Sequence, residues 1–222
     1  MRLTQLGLVQ NMSYYDILQV APRTGPEKVR VCYARDEDWN PVILKGPLST
    51  NEIEAMLETE RIKKILNLPR THVRQDDDFL VSNCLYDYDY DDSHRCVSPI
   101  DNGERLSNIK LKMWRHDIEG EVVERSFLKA LAFRLIIGTD DTVPRNFVVI
   151  DETVYSVDDP AWKKEPTKIW KIKSHAEKYT DMLDRHWEWV QAFLQDWQKQ
   201  KSIGPFSIRM CEKYLKRENW SF

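Results

Sequence analysis

Two aspartates and an asparagine are spaced along the middle of this chain so that they can meet. In GTDDTVPRNFVVIDETVYSVDDP, residues 138–160, Asp141 and Asn146 lie five apart and Asp158 follows twelve positions after Asn146. NFVVI and TVYSV read as two short strands, with Asp151-Glu152 as the tight turn between them. Asn146 then stands just before the first strand and Asp158 just after the second, at one end of a hairpin. A carboxamide and a carboxylate placed together offer hard oxygens to Mg²⁺, which takes few ligands from a protein. Asp141 supplies a further carboxylate that can orient or deprotonate an attacking hydroxyl. These are the parts that phosphoryl transfer requires. Asp140 is the alternative to Asp141, and Asp159 the alternative to Asp158. Asn146 also has a plain reading as a turn cap. Arg145, inside the loop, either neutralises developing charge or makes a surface salt bridge.

The elements that must position these residues are readable around them. Residues 121–137, EVVERSFLKALAFRLII, form a helix with Val123, Phe127, Leu128, Leu131, Ala132 and Leu135 on one face, closed by Gly138. Upstream, residues 17–20, 28–35 and 41–45 read as three strands of an antiparallel meander, separated by APRTGPE and DEDWN. Ser49-Thr50-Asn51 start a helix that carries Glu52 and Glu54 in its first turn and runs to about Leu66, with Pro69 as the stop. Residues 79–86 read as a further strand, followed by the acidic run 87–95, a solvated loop in its plainest reading. Residues 97–120 carry few element signals. Apolar residues at helical spacing over 177–198 predict one long helix, and a last helix follows over about 206–217.

Composition excludes several classes. The chain has 222 residues, 41% of them hydrophobic, which is enough for a good core and against disorder. A net charge of -3 leaves no basic excess for counterion release, so nucleic acid is an unlikely partner. Four scattered Cys without a CxxC are expected as free thiols of a reducing, cytoplasmic compartment. The five His lack paired-ligand spacing, against a structural zinc. No run is long and apolar enough for a transmembrane segment, and the N-terminus does not read as a signal peptide.

The pattern at 131–160 resembles the catalytic core of the protein-kinase-like superfamily, in its atypical branches. LIIGTDDTVPRNFVV is similar to the loop of phosphoinositide 3/4-kinases and aminoglycoside-phosphotransferase-like enzymes, where a helix, a glycine and an acid loop follow in that order. Asp141 and Asn146 match the family's Asp-x4-Asn. Asp158 in SVDDP matches its second metal-binding Asp, which follows a β-hairpin. The resemblance covers roughly residues 15–160 in order. It implies an α+β, two-lobed protein-kinase-like fold in one domain over 1–222. The N-lobe, about 1–90, would be an antiparallel sheet with one helix, and the C-lobe, about 91–222, small and mainly helical.

The same resemblance implies site residues upstream. Lys45, ending VILK, matches the lysine that binds the α- and β-phosphates of ATP. Glu58 on the next helix is its expected partner, with Glu60 as runner-up. PRTGPE, with Gly25, sits where the phosphate-covering loop belongs, and 79–90 holds the hinge against which adenine binds. ATP and Mg are the implied cofactors. The expected function is γ-phosphate transfer to a hydroxyl acceptor: a protein, a lipid headgroup or another small molecule. Departures from the family are explicit. The turn 22–27 has one Gly, Thr139-Asp140 replace His-Arg before Asp141, Asp158-Asp159-Pro160 replace Asp-Phe-Gly, and no Ala-Pro-Glu follows. Two rival expectations stand beside this one: a pseudokinase-like nucleotide-binding or scaffold module, and a non-enzymatic protein-interaction domain presenting its Trp-rich C-terminal helices.

Overall fold

Alternating side chains build the first half of the chain. In the computed structural model, which describes residues 15–20, 30–85, 89–90, 96–97, 120–137, 146–150, 152–157, 159 and 179–200, the three expected strands form as β1 (Asp16–Val20), β2 (Arg30–Arg35) and β3 (Pro41–Gly46). Along β3, Val42, Leu44 and Gly46 are buried while Pro41, Ile43 and Lys45 occupy the half-buried face, the period of a strand with one covered side. β3 is followed by α1 (Thr50–Ile65) and then by a hairpin of β4 (Arg74–Asp76) and β5 (Phe79–Asn83). The sheet is antiparallel in the order β1-β2-β3-β5-β4. Tyr15, Ile17, Cys32, Ala34, Val42, Leu44, Phe79 and Val81 form its core.

The two edges of this sheet are tied to each other. Tyr15, at the entrance to β1, donates its hydroxyl to Asp76 Oδ2 on β4 at 2.7 Å. Burial, reinforced by this bond to a carboxylate, pushes the Tyr15 phenol up to about 12. The sheet is therefore strongly curled. Gly46 shows how tightly the β3 end is closed: a Cβ there would lie 2.7 Å from the Phe79 ring and 2.8 Å from the Asp78 carbonyl oxygen. Gly46→Ala should cost about 1–3 kcal/mol by overpacking, read as a shift in urea midpoint without a change in slope.

Both ends of α1 are set by local chemistry. Ser49 and Glu52 make a reciprocal capping box: Ser49 N–H and Oγ donate to Glu52 Oε2 at 2.8 and 2.6 Å, and Glu52 N–H returns to Ser49 Oγ at 3.4 Å. At the other end Asn67 takes a left-handed φ of 51°, with Leu68 N–H on Lys63 O at 2.9 Å and Asn67 N–H on Lys64 O at 3.2 Å. That is a Schellman stop, in place before Pro69 is reached. In the acidic segment, the short strands β6 (Asp89–Tyr90) and β7 (Cys96–Val97) pair antiparallel.

The second half is helical around one hairpin. It comprises α2 (Glu121–Ile136), β8 (Phe147–Ile150), β9 (Thr153–Ser156), α3 (Thr180–Arg185) and α4 (Trp187–Gln198). The one-faced α2 expected from sequence is buried far more widely. Ala130, Phe133 and Arg134 are covered as fully as Phe127, Leu128, Leu131 and Ala132, because the hairpin and the later helices enclose the helix's second half. The single helix expected over 177–198 is two. At His186 (φ −113°, ψ 17°) the chain leaves helical geometry, and α3 and α4 each turn their own apolar residues inward: Met182 and Leu183, then Val190, Phe193, Leu194 and Trp197.

Glu124 on α2 fixes that break. Its Oε2 lies 2.5 Å from His186 Nε2, and Arg185 Nη2 donates to its Oε1 at 2.6 Å. Burial pushes the Glu124 carboxyl up, but the hydrogen bonds from His186 and Arg185 outweigh it and hold its pKa below the ordinary value. A depressed folded-state pKa contributes stability above the unfolded value, and that contribution is lost as pH falls through the folded one. Melting temperature should therefore decline as pH drops below about 4.3, and Glu124→Gln should flatten that decline in a pH series.

The chain divides into two compact units, Met1–Leu57 with Thr71–Asn108, and Glu58–Arg70 with Ile109–Phe222. The division falls within α1. Each unit has its own apolar cluster. The architecture is α+β with an antiparallel sheet, as expected from sequence. Among the described residues, no helix is long and apolar enough to cross a membrane. Cys32 and Cys84 are buried thiols, not joined in a disulfide. The last helix expected over 206–217 lies outside the described residues.

Candidate functional site

The β8–β9 hairpin forms where sequence places it, with Phe147 opposite Ser156 and Ile150 opposite Thr153. This register carries the ladder one step beyond the strands: Val157 N–H donates to Asn146 C=O at 2.9 Å. Asn146 is 3% exposed and sits at the entrance to β8. Its backbone is thus bonded to the residue that immediately precedes Asp158 in the chain. Asp158 itself lies outside the described residues, as do Asp140, Asp141, Arg145 and Gly25.

Next to this hairpin end is a buried polar cluster. Asp159 is 8% exposed and its carboxylate meets two cations. Arg134 Nη1, from α2, donates to its Oδ1 at 2.7 Å, and Lys63, from the last turn of α1, pairs with its Oδ2. Ser156 Oγ also donates to Oδ1, at 2.5 Å. Lys63 Nζ further donates to Ser156 C=O at 2.9 Å and to Glu60 Oε1 at 3.0 Å. Arg134 Nη1 reaches Ser156 Oγ at 3.0 Å and Val157 C=O at 3.1 Å. All these residues belong to the second unit.

The electrostatics follow from pairing in a dry place. Burial alone would make the Lys63 ammonium give up its proton more readily, but Asp159 and Glu60 reverse this and hold its pKa above the ordinary lysine value. Burial likewise pushes Asp159 up, and Lys63 and Arg134 more than offset it, so the carboxyl stays below its usual range. Asp159 is therefore an anionic anchor committed to protein cations. Sequence reasoning gave Asp159 only as an alternative metal ligand and missed Lys63, Arg134 and Ser156. One signal was present: Arg134 is a charge inside the apolar run FLKALAFRLII, which demands a buried counter-charge.

The upstream residues are placed as follows. Lys45 lies on the half-buried face of β3, opposite Leu80 of β5 and Val31 of β2. Glu52's carboxyl is lowered mainly by its bonds from Ser49, with a smaller contribution from the Lys45 charge. Glu58 is held by Arg61 on the same helix through two 2.6 Å hydrogen bonds, both side chains being partly exposed. The runner-up Glu60 faces Lys63 instead. Lys45 and Glu58 fall in different units.

By residue type alone, two of the sequence-predicted ligands carry hard oxygen donors. Asn146 offers a carboxamide oxygen and Asp158 a carboxylate, both hard ligands, while Asp159 is already neutralised. Among the described residues, no cluster of three or more His, Cys, Asp or Glu side chains forms a ready metal cage. A magnesium held here would take few protein ligands, as it does when shared with phosphates. Compared with known protein families and with curated proteins, the chain matches none of them.

Proposed function

We propose that the chain is a Mg·ATP-dependent phosphotransferase of two-lobed protein-kinase-like fold, passing the γ-phosphate to a hydroxyl acceptor. The observation that carries this reading is the Val157–Asn146 hydrogen bond, which sets the loop asparagine beside the strand end leading into Asp158. The antiparallel sheet, with α1 following directly on the Lys45 strand, supports it from the other half of the sequence. In this reading Asn146 and Asp158 hold magnesium, and the metal neutralises charge on the phosphates. Asp141 orients the acceptor hydroxyl and takes its proton. Lys45 binds the α- and β-phosphates, Glu58 orients Lys45, and the Gly25 turn covers the phosphates. Positioning and charge stabilisation supply most of the acceleration in such a site.

An exposed apolar stripe on 177–198 would support the rival reading as a protein-interaction domain. Val190, Phe193, Leu194 and Trp197 are buried in the chain's own core, and Trp189 is covered by Arg125 and Lys129. Among the described residues the exposed large hydrophobics are Trp39, in the turn between β2 and β3, and Val122, on α2. Magnesium-dependent ATP turnover by the purified chain is the test of the enzyme reading. Turnover abolished by EDTA and restored by Mg²⁺ is expected. Nucleotide binding without turnover would favour the pseudokinase-like reading instead.

A further inference from the structure

The β8–β9 hairpin has only four residues in each strand, and a two-stranded ladder of that size is marginal without outside support. Fraying would begin at its open end, where Asn146 and Val157 meet. That end is gripped by cations from two helices. Lys63 of α1 holds Ser156 C=O, Arg134 of α2 holds Ser156 Oγ and Val157 C=O, and Asp159 binds both cations and Ser156 Oγ. Successive groups of the exit strand are thus fixed by charge-assisted bonds, which are directional.

An apolar residue set could fill the same space. Buried ion pairs add little net stability over well-packed hydrophobic residues of similar volume, so the return on this cluster is geometric. The cluster is also electrically balanced: two cations, Lys63 and Arg134, face two carboxylates, Asp159 and Glu60.

We propose that Lys63, Arg134 and Asp159 are positioning residues for the metal end of the hairpin. They hold the strand end to which the Asn146 backbone is bonded, and through it the Asn146 ligand oxygen. This inference rests on the reading of Asn146 as a magnesium ligand. Supporting partners of this kind commonly change metal affinity about 10–100-fold when removed.

The test is a magnesium titration at fixed ATP, followed by thermal shift, on the wild type and on the double variant K63M/D159N. The double substitution removes one cation and one anion together and keeps the cluster balanced. The variant is expected to fold, to bind ATP in EDTA as the wild type does, and to need about 10-fold more Mg²⁺ for half-saturation. A folded double variant with the wild-type magnesium requirement would overturn the inference. Should it fail to fold, Ser156→Ala decides: a rise of about 3-fold or more in the half-saturating Mg²⁺ supports positioning, and an unchanged value refutes it. A wild type whose ATP response ignores Mg²⁺ would overturn the reading of Asn146 itself, a failure visible before any variant is compared.

Discussion

Lys63→Met should lower the stability of the chain by about 3–5 kcal/mol, the cost of breaking a buried ion pair from one side. Lys63 is 2% exposed, and its ammonium is shared by Asp159, Glu60 and the Ser156 carbonyl. Methionine fills the space but, among the described residues, leaves Asp159 with one cation in place of two and Glu60 with none. The comparison that isolates burial is Arg61→Met on the same helix. Arg61 makes two short hydrogen bonds to Glu58, yet both side chains are partly exposed. Its loss should cost no more than about 1 kcal/mol, since surface pairs gain little in water. Urea unfolding of the two variants should separate them clearly. Similar costs for both would mean that the Lys63 cluster is far wetter than its geometry indicates.

Asp141→Asn should reduce phosphoryl transfer about 10²–10⁴-fold, the usual contribution of a positioned general base. Asparagine keeps the size of the side chain and one hydrogen-bonding oxygen, but it cannot take a proton. In the proposed site Asp141 serves the acceptor, whereas Asn146 and Asp158 serve the metal. Binding of Mg·ATP should therefore survive the substitution, and the loss should fall on turnover alone. Steady-state turnover alongside a nucleotide thermal shift reads both quantities. Turnover equal to the wild type would remove Asp141 from the mechanism and return Asp140 as the acid to test.

Local periodicity and turn chemistry made much of the fold legible. β1, β2 and β3 alternate, α1 opens on Ser49-x-x-Glu52, and NFVVI and TVYSV flank an obvious turn. β4 escaped notice because Arg74-Gln75-Asp76 are three polar residues, paired only because β5 lies beside them. The break at His186 was hidden because apolar spacing continues across it. What ends α3 there is tertiary, the carboxylate of Glu124 on a helix far away in sequence. The polar cluster escaped for the same reason: Lys63, Arg134 and Asp159 come from three separate elements. At the site, the shared hairpin end of Asn146 and the 157–159 segment was legible because a two-residue turn fixes strand register. That Asp159 is an anchor depended on cations that sequence alone does not bring near.

The most direct test of the nucleotide site is thermal stability with and without Mg·ATP, on the wild type and on Asp158→Ala. A ligand that binds only the folded state at 100 times its dissociation constant stabilises by about 2.7 kcal/mol, which for a chain of this size is a rise of several degrees. The account predicts that rise in the wild type, its absence with ATP in EDTA, and its loss in Asp158→Ala. No shift in the wild type, or a shift that Asp158→Ala leaves intact, would contradict it.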